Sequence, residues 1–266
     1  MAGSLIHSRA MRPSTEHLDV LVVGAGISGI AAGYFLQTRC PDKSYAILEG
    51  REVLGGTWDL FRYPGIRSDS DMHTLGFSFR PWPHDHAIAE GADILRYLQD
   101  TAREFHIDQK IRFNTRVSHL SWSSREARWT ITTEDAKSGE QATLTCSFLW
   151  ACTGYYRYDE GYTPDFPGIE SYQGQVVHPQ NWTDEVDYAG KRVVVIGSGA
   201  TAVTLVPAMA DDAEHVTMLQ RSPSYILSVP PKDPIATWLK RKLPLDRALP
   251  LVRWKNVLFG IGLYQY

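Results

Sequence analysis

Two glycine-rich turns carry the chemistry of this chain, and the residue in the matching place after each differs in charge. The first reads Leu21-Val22-Val23-Gly24-Ala25-Gly26-Ile27-Ser28-Gly29, with Glu49 at the end of the next apolar run. The second reads Val193-Val194-Val195-Ile196-Gly197-Ser198-Gly199-Ala200-Thr201-Ala202, with Arg221 in the matching place. In such a turn the first glycine permits the tight bend and the second lets a pyrophosphate approach the backbone. The third, glycine or alanine, lets helix and strand pack closely. The helix N-terminus behind the turn presents N–H groups to the phosphates. A carboxylate after the second strand accepts a hydrogen bond from a free ribose 2′-hydroxyl, whereas an arginine suits a 2′-phosphate. A chain with both sites is expected to hold FAD and NADPH together and to pass a hydride between them. For Arg221 an ordinary surface arginine is the alternative. No acid lies within 219–223, which favours NADP over NAD.

The elements needed to position these residues are legible in the pattern. A strand at about 19–23 feeds the first turn, a helix follows over about 27–37, Pro41-Asp42 breaks it, and 45–49 is the next strand. Gly29 to Glu49 is twenty residues, the interval expected of a dinucleotide unit. A one-sided helix is predicted from Glu90-Gly91-Ala92-Asp93 to about Phe105, with Ile94, Leu95, Leu98 and Phe105 on its apolar side. Three strand-like segments near 111–122, 127–133 and 142–150 form a meander, and Phe148-Leu149-Trp150-Ala151-Cys152-Thr153-Gly154 returns a strand towards the first site. The second unit starts at Lys191, with a helix over about 200–210 and a strand over 215–219. Beyond it only helix-like segments appear, around 235–243 and 248–258, so a doubly wound half cannot be completed. The expected fold class is α/β: two Rossmann-like dinucleotide-binding domains, the FAD domain with an inserted antiparallel β-meander and the second domain incomplete. The expected boundaries are a flexible tail over 1–17, the FAD domain over 18–154, a linker over 155–190 and a partial NADP domain over 191–266.

Composition narrows the classes. A net charge of −3 over 266 residues without basic clusters gives no electrostatic argument for nucleic acid. Cys40, Cys146 and Cys152 form no CxxC pair, which fits free thiols in a reducing compartment. The first 17 residues have no apolar signal core, and no 18-residue apolar run is present, so a cytoplasmic protein without a transmembrane segment is expected. The Leu251–Leu263 run, with Trp254 and Phe259, is read as packing against further protein, with peripheral membrane contact as its alternative. No metal site is expected: His84-x-His86 lies in a proline-rich loop without an evident third ligand.

Between the turns stand Gly55-Gly56-Thr57-Trp58 and Arg62-Tyr63-Pro64-Gly65-Ile66-Arg67-Ser68-Asp69. By themselves they read equally as a plain loop around a core tryptophan. Immediately before the second turn, Tyr172-x-Gly174-x-x-x-His178-x-x-x-Trp182 resembles the FxGxxxHxxxW fingerprint of Baeyer–Villiger monooxygenases and their relatives in the class B flavin-dependent monooxygenase superfamily. Tyr172 replaces the phenylalanine, and Thr183 stands where the fingerprint ends in proline or aspartate. Within the superfamily, the stretch from Trp58 to Met72, His178-Pro179-Gln180 and Gly197–Ala202 are most similar to the AlmA-type branch, associated with long-chain alkane oxidation. The similarity covers roughly residues 18–255, and family members continue well past position 266.

The resemblance implies roles. FAD contacts fall to Gly24, Gly26, Ser28 and Gly29, with Glu49 on the ribose, Gly56, Thr57 and Trp58 along the flavin, and Val117 on the adenine through its backbone. Asp69 would lie near flavin and nicotinamide with Arg67 close by. His178 would sit in the linker that couples NADPH-domain movement to catalysis, a hydrogen-bonded structural histidine being the alternative. NADPH contacts fall to Gly197, Gly199, Thr201 and Ala202, with Arg221 and Ser222 clamping the 2′-phosphate. In Baeyer–Villiger enzymes the arginine that stabilises the oxygenated flavin comes from a segment downstream of this chain's end. The implied mechanism has NADPH reduce FAD and O2 add at flavin C4a to give a C4a-peroxyflavin. One oxygen atom then enters a hydrophobic substrate and water leaves. Alkane oxidation, Baeyer–Villiger or heteroatom oxygenation, and a truncated fragment that only binds nucleotide all stay open at this level.

Overall fold

The computed structural model describes residues 15–265 apart from 224, 225, 227 and 229. Most of the tail expected over 1–17 therefore lies outside the described residues. The chain divides into two compact units, one of residues up to Leu54 together with Ala102–Thr153, the other of Gly55–Thr101 together with the residues from Gly154 on.

The first unit holds a six-stranded sheet. Its strands are β1 (Glu16–Val23), β2 (Tyr45–Leu48), β3 (Ile111–Arg112), β4 (Thr115–Ser123), β5 (Arg128–Asp135) and β6 (Gln141–Ala151), in the order β3-β2-β1-β6-β5-β4. The four strands β3, β2, β1 and β6 run parallel, and β6, β5 and β4 are antiparallel. All four residues of β2 and Val20-Leu21-Val22 of β1 are buried, as continuous apolar runs in a parallel sheet should be. Leu21, Ala46 and Leu48 share one core cluster with Ile131, Leu144 and Cys146, so the meander extends the same core. Helix α1 (Ile27–Arg39) buries Gly29, Ile30, Ala32, Gly33 and Leu36, and a Cβ at Gly33 would meet Ile107 and Ile47 at 2.7 and 3.2 Å.

Two details depart from the sequence reading. β1 begins at Glu16, where Arg112 holds the carboxylate through two hydrogen bonds of 2.6 and 2.7 Å. The single strand expected over 111–122 is two strands. Arg112 still pairs with Leu48 of β2, whereas β4 pairs with β5. Asn114 makes the turn at φ +53°, a conformation asparagine tolerates, and its N–H donates to the Arg51 carbonyl at 2.9 Å.

The second unit contains the short helices α2 (Thr57–Leu60) and α3 (Met72–Leu75) and the greater part of α4 (Gly91–Glu104). It continues with β7 (Arg192–Ile196), α5 (Ala200–Met209), β8 (His215–Leu219), α6 (Pro234–Lys242) and α7 (Leu245–Gln265). β7 and β8 form a two-stranded parallel sheet. Val193, Val195 and Val216 pack into a cluster around Phe61, Tyr63, Leu205 and Met209. The alternate residues Val194, Ile196 and Leu219 are more than half exposed, so this sheet is covered on one face. Between Ala151 and Arg192 the described elements are two 3-10 turns, Ile169–Ser171 and Pro179–Asn181. α7 starts earlier and ends later than the sequence suggested and runs through Pro250. Its Asn256 donates to the Asp71 carboxylate at 2.7 Å, and its Lys255 pairs with Asp233, the N-cap of α6. No described helix is long and apolar enough to cross a membrane.

Candidate nucleotide-binding sites

The first turn joins β1 to α1 inside the first unit. Gly24 lies at φ +104°, and a Cβ there would run into the Cys152 carbonyl oxygen. Cys152 in turn donates its N–H to the Val23 carbonyl at 2.8 Å, so the end of β6 is laced to the turn. A Cβ at Gly29 would collide with the Gly24 carbonyl oxygen, which is the close helix–strand contact expected of the third glycine. Gly26 is the N-cap of α1 and no side chain caps it, so the first-turn N–H groups remain for a ligand. Ser28 is exposed in that turn.

Glu49 is 7% exposed. Its carboxylate accepts from the Ala25 N–H at 2.8 Å and from the Arg51 N–H at 3.0 Å. The acid therefore reaches back to the glycine turn, where a ribose attached to a turn-bound pyrophosphate would lie. Val117 comes to the same end of the sheet: Thr115 N–H donates to the Glu49 carbonyl at 2.8 Å, and Gly50 lies against Arg116. A register shift between Val117 and His119 turns the strand just there. The structure thus gathers Gly24, Gly26, Ser28, Gly29, Glu49 and Val117 within one unit.

The second turn repeats the device. Gly197 N–H donates to the Leu219 carbonyl at 2.9 Å, as Gly24 N–H donates to the Leu48 carbonyl at 2.8 Å. Gly197 lies at φ +124°, and Gly199 is an N-cap without a side-chain cap. A Cβ at Gly199 would meet nothing within 4 Å, so there is room for a phosphate group against this backbone. Thr201 is half-buried and Ala202, in the place of Gly29, is buried. The matched hydrogen bonds also correct one correspondence. The residue in the place of Glu49 is Gln220, and Arg221 stands one position further along. Arg221 and Ser222 are exposed, and Ser198 Oγ donates to the Ser222 carbonyl at 3.5 Å, which keeps that segment beside the turn.

In the same unit, Gly55 and Gly56 take φ of +127° and +56° and start α2, where Thr57 and Trp58 are half-buried. Asp59 is buried and pairs with Arg62 at 2.8 Å. A Cβ at Gly65 would meet the Thr204 carbonyl and the Ala208 Cβ at 2.6 and 2.7 Å, so the Tyr63–Gly65 bend rests directly on α5. The loop continues to exposed Arg67 and Asp69 around buried Ser68, whose Oγ accepts from the Ala89 N–H at 3.0 Å. A hydrogen bond with Tyr155, burial, and the charges of Tyr155, Tyr63 and Asp69 push the Tyr156 phenol well above its ordinary pKa. This hydroxyl near Asp69 stays protonated.

His178 caps the 3-10 turn Pro179–Asn181, its Nδ1 accepting from the Gln180 N–H at 3.2 Å, and its ring lies against Gly161. The buried Gln180 side chain donates to the Arg157 carbonyl at 2.7 Å, and Trp182 packs into the cluster beneath β7. His178 and Trp182 of the fingerprint are thereby built into the packing of the second unit, whereas Tyr172 and Gly174 are exposed. Sequence reading assigned no role to Asp59, Ser68 or Gln180. Only Asp59, set between Trp58 and Leu60-Phe61, left a signal, a polar residue in an apolar string; Ser68 and Gln180 stand among other polar residues. Among the described residues no three His, Cys, Asp or Glu side chains gather as metal ligands.

The flavin-binding monooxygenase-like family model matches residues 17–236. The chain belongs to this family. Among curated relatives, the FAD-containing monooxygenase EthA of Mycobacterium tuberculosis is 59% identical over 252 residues, covering 94% of this chain and 51% of that protein. The probable FAD-binding monooxygenase AlmA of Acinetobacter baylyi is 48% identical over 250 residues, covering 94% and 50%. The solved structure of cyclohexanone monooxygenase from Rhodococcus sp. Phi1 bound to NADP+ superposes with a TM-score of 0.68 at 30% identity, over 81% of this chain and 40% of that one. The chain spans about half the length of the curated relatives it matches. Membership in the family accounts for the α/β class, with two Rossmann-like dinucleotide-binding parts, a meander in the first and an incomplete second.

Proposed function

We propose that the protein is an FAD- and NADPH-dependent monooxygenase that places one oxygen atom of O2 into a hydrophobic substrate, the other leaving as water. The observation that carries this reading is the pair of helix N-termini left uncapped behind glycine turns, one backed by Glu49 and the other followed by Arg221. The FAD-containing and NADP+-bound relatives support the same assignment. FAD, when bound, would supply the redox chemistry of hydride acceptance and oxygen activation. The chain's own residues bind and orient. Gly24, Gly26, Ser28 and the α1 N-terminus hold the pyrophosphate, Glu49 the ribose and Val117 the adenine. Gly56, Thr57 and Trp58 line the flavin. Gly197, Gly199, Thr201 and the α5 N-terminus hold the second pyrophosphate, and Arg221 with Ser222 reads the 2′-phosphate. Asp69, with Arg67 close by, would lie near the flavin and the nicotinamide, and His178 acts through the segment it caps. The protein works in the cytoplasm.

For the substrate, a ketone or sulfide stands ahead of an unactivated alkane, because flavin-activated oxygen is matched to carbonyl carbon and sulfur, whereas alkane C–H bonds are far harder to attack. The cyclohexanone monooxygenase neighbour supports this order. Alkane oxidation, which the motif resemblance implies, is the second reading.

The test is an absorbance spectrum of the purified chain followed by anaerobic addition of NADPH or NADH. A flavin band that bleaches faster with NADPH supports the reading. A colourless protein that takes up no FAD overturns it for this chain, and bound flavin that no nicotinamide reduces leaves a nucleotide-binding protein. Products from ketone, sulfide and alkane substrates then separate the two chemistries.

A further inference from the structure

Helix α7 is held on one side. Ala248 and Val252 on its inner face are fully buried. Arg253 donates to the His73 and Gly76 carbonyls at 3.4 and 3.0 Å, Asn256 donates to the Asp71 carboxylate at 2.7 Å, and Lys255 pairs with Asp233. These contacts fix the helix, and with it the direction of its outer face. That face carries Leu251, Trp254, Leu258 and Ile261, which are between 49% and 64% exposed.

The four are spaced three, four and three residues apart, so they form one stripe along the helix, at the a and d positions of a heptad pattern. Exposed Arg247 and Gln265 continue the stripe at its two ends. Single apolar residues are ordinary on a protein surface, whereas a contiguous stripe of four large ones marks a contact. The exposed charges of α7 are Asp246 and Arg247, one of each sign, so no net charge draws this face to an anionic lipid surface. A heptad seam calls for a second helix with the same pattern, and another copy of the chain supplies one.

We propose that α7 pairs with α7 of a second copy of this chain, antiparallel about a two-fold axis at Asn256. In that register Leu251 faces the partner's Ile261, Trp254 faces the partner's Leu258, and Arg247 faces the partner's Gln265. The three pairs share one midpoint, so the contact is self-complementary and closes as a dimer. A parallel pair would instead set Trp254 on Trp254 and Arg247 on Arg247, with the two helix dipoles aligned. The stripe and its flanks present about 600 Å² per copy, so pairing would hide on the order of 1,200 Å², the lower end of specific interfaces.

The experiment is sedimentation velocity of the full 266-residue chain over a concentration series, beside Leu258→Glu. The chain is expected to pass from monomer to dimer as its concentration rises. Leu258→Glu should weaken the dimer by about a hundredfold or more, because two-fold symmetry buries the new carboxylate twice. Circular dichroism checks the fold, and should Leu258→Glu misfold, Ile261→Lys carries the same test. Orientation is read by mild oxidation of Leu251→Cys and Ile261→Cys proteins, both with Cys40→Ser because Cys40 is exposed. The two mixed together should form a disulfide-linked dimer, and each alone should not. A chain that stays monomeric throughout overturns the proposal, as does one that binds phosphatidylglycerol vesicles in place of itself. A dimer that Leu258→Glu leaves intact also overturns it, and so does cross-linking of each cysteine protein alone but not of the mixture.

Discussion

Gly29→Ala tests whether the first turn works by close helix–strand contact. The added Cβ would collide with the Gly24 carbonyl oxygen, which is backbone and cannot rotate aside. Gly24 is itself held by its N–H on the Leu48 carbonyl and by contact with the Cys152 carbonyl. The strain must be relieved by moving α1 away from β1, which draws the helix N-terminus off the phosphates. Overpacking of this kind costs about 1–3 kcal/mol. In a chain of this size that lowers Tm by roughly 2–4 °C per kcal/mol, so a fall of about 2–12 °C is expected. Flavin content per protein, read from the visible spectrum, should drop more than tenfold, because the ligand feels the displacement directly. Ala202 supplies the internal control. It occupies the equivalent place, is buried, and already carries a Cβ, so Ala202→Gly should leave FAD content unchanged. A Gly29→Ala protein with wild-type Tm and full flavin would show that the contact does not position the helix, and the reasoning would fail.

Further outcomes follow from the same geometry. Glu49→Ala removes the acceptor for the Ala25 and Arg51 N–H groups; each charge-assisted bond lost costs about 1.5–3 kcal/mol. Thermal unfolding with and without FAD should show both states destabilised, and a Tm within 1 °C of wild type would refute the link. Arg221→Ala changes an exposed residue, so Tm should hold while the preference for NADPH over NADH in flavin reduction falls at least tenfold; equal losses for both coenzymes would mean Arg221 does not read the 2′-phosphate. Glu16 has its pKa lowered by the hydrogen bond with Arg112. Its folded value lies below its unfolded value, so the stabilisation is present above about pH 4.5 and lost as pH falls through the lower folded value. Both groups are partly exposed, so the effect is below about 1 kcal/mol. Arg112→Ala should flatten urea-unfolding stability between pH 5 and 3, and an unchanged slope would count against the pair.

The two glycine turns were legible because their geometry is local. A bend that only glycine tolerates, a helix start, and a polar residue after the next strand all leave marks within about twenty-five residues. The strand–turn–helix–strand order at both turns and the meander between them are found close to the expected positions. The break at Asn114 was not legible, since residues 111–122 keep a strand-like composition on both sides of it. What divides them is the choice of partner: β2 for Arg112 and β5 for the residues after Thr115. The offset between Gln220 and Arg221 was hidden for a related reason. Helix α5 is shorter than α1, and counting residues cannot show where the strand ends; the hydrogen bond from Gly197 to Leu219 can.

The sequence by itself determined the α/β class and the two glycine turns, because backbone freedom depends on residue type and spacing. Only the tertiary structure decided what the intervening segments do. It seated the Tyr63–Gly65 bend on α5, folded His178 and Gln180 into a capped and tied turn, and reached back from α7 to the Met72–Trp82 segment. These contacts join residues up to 180 positions apart. Their energy comes from packing and from satisfying buried polar groups, and neither quantity exists until the chain is closed on itself.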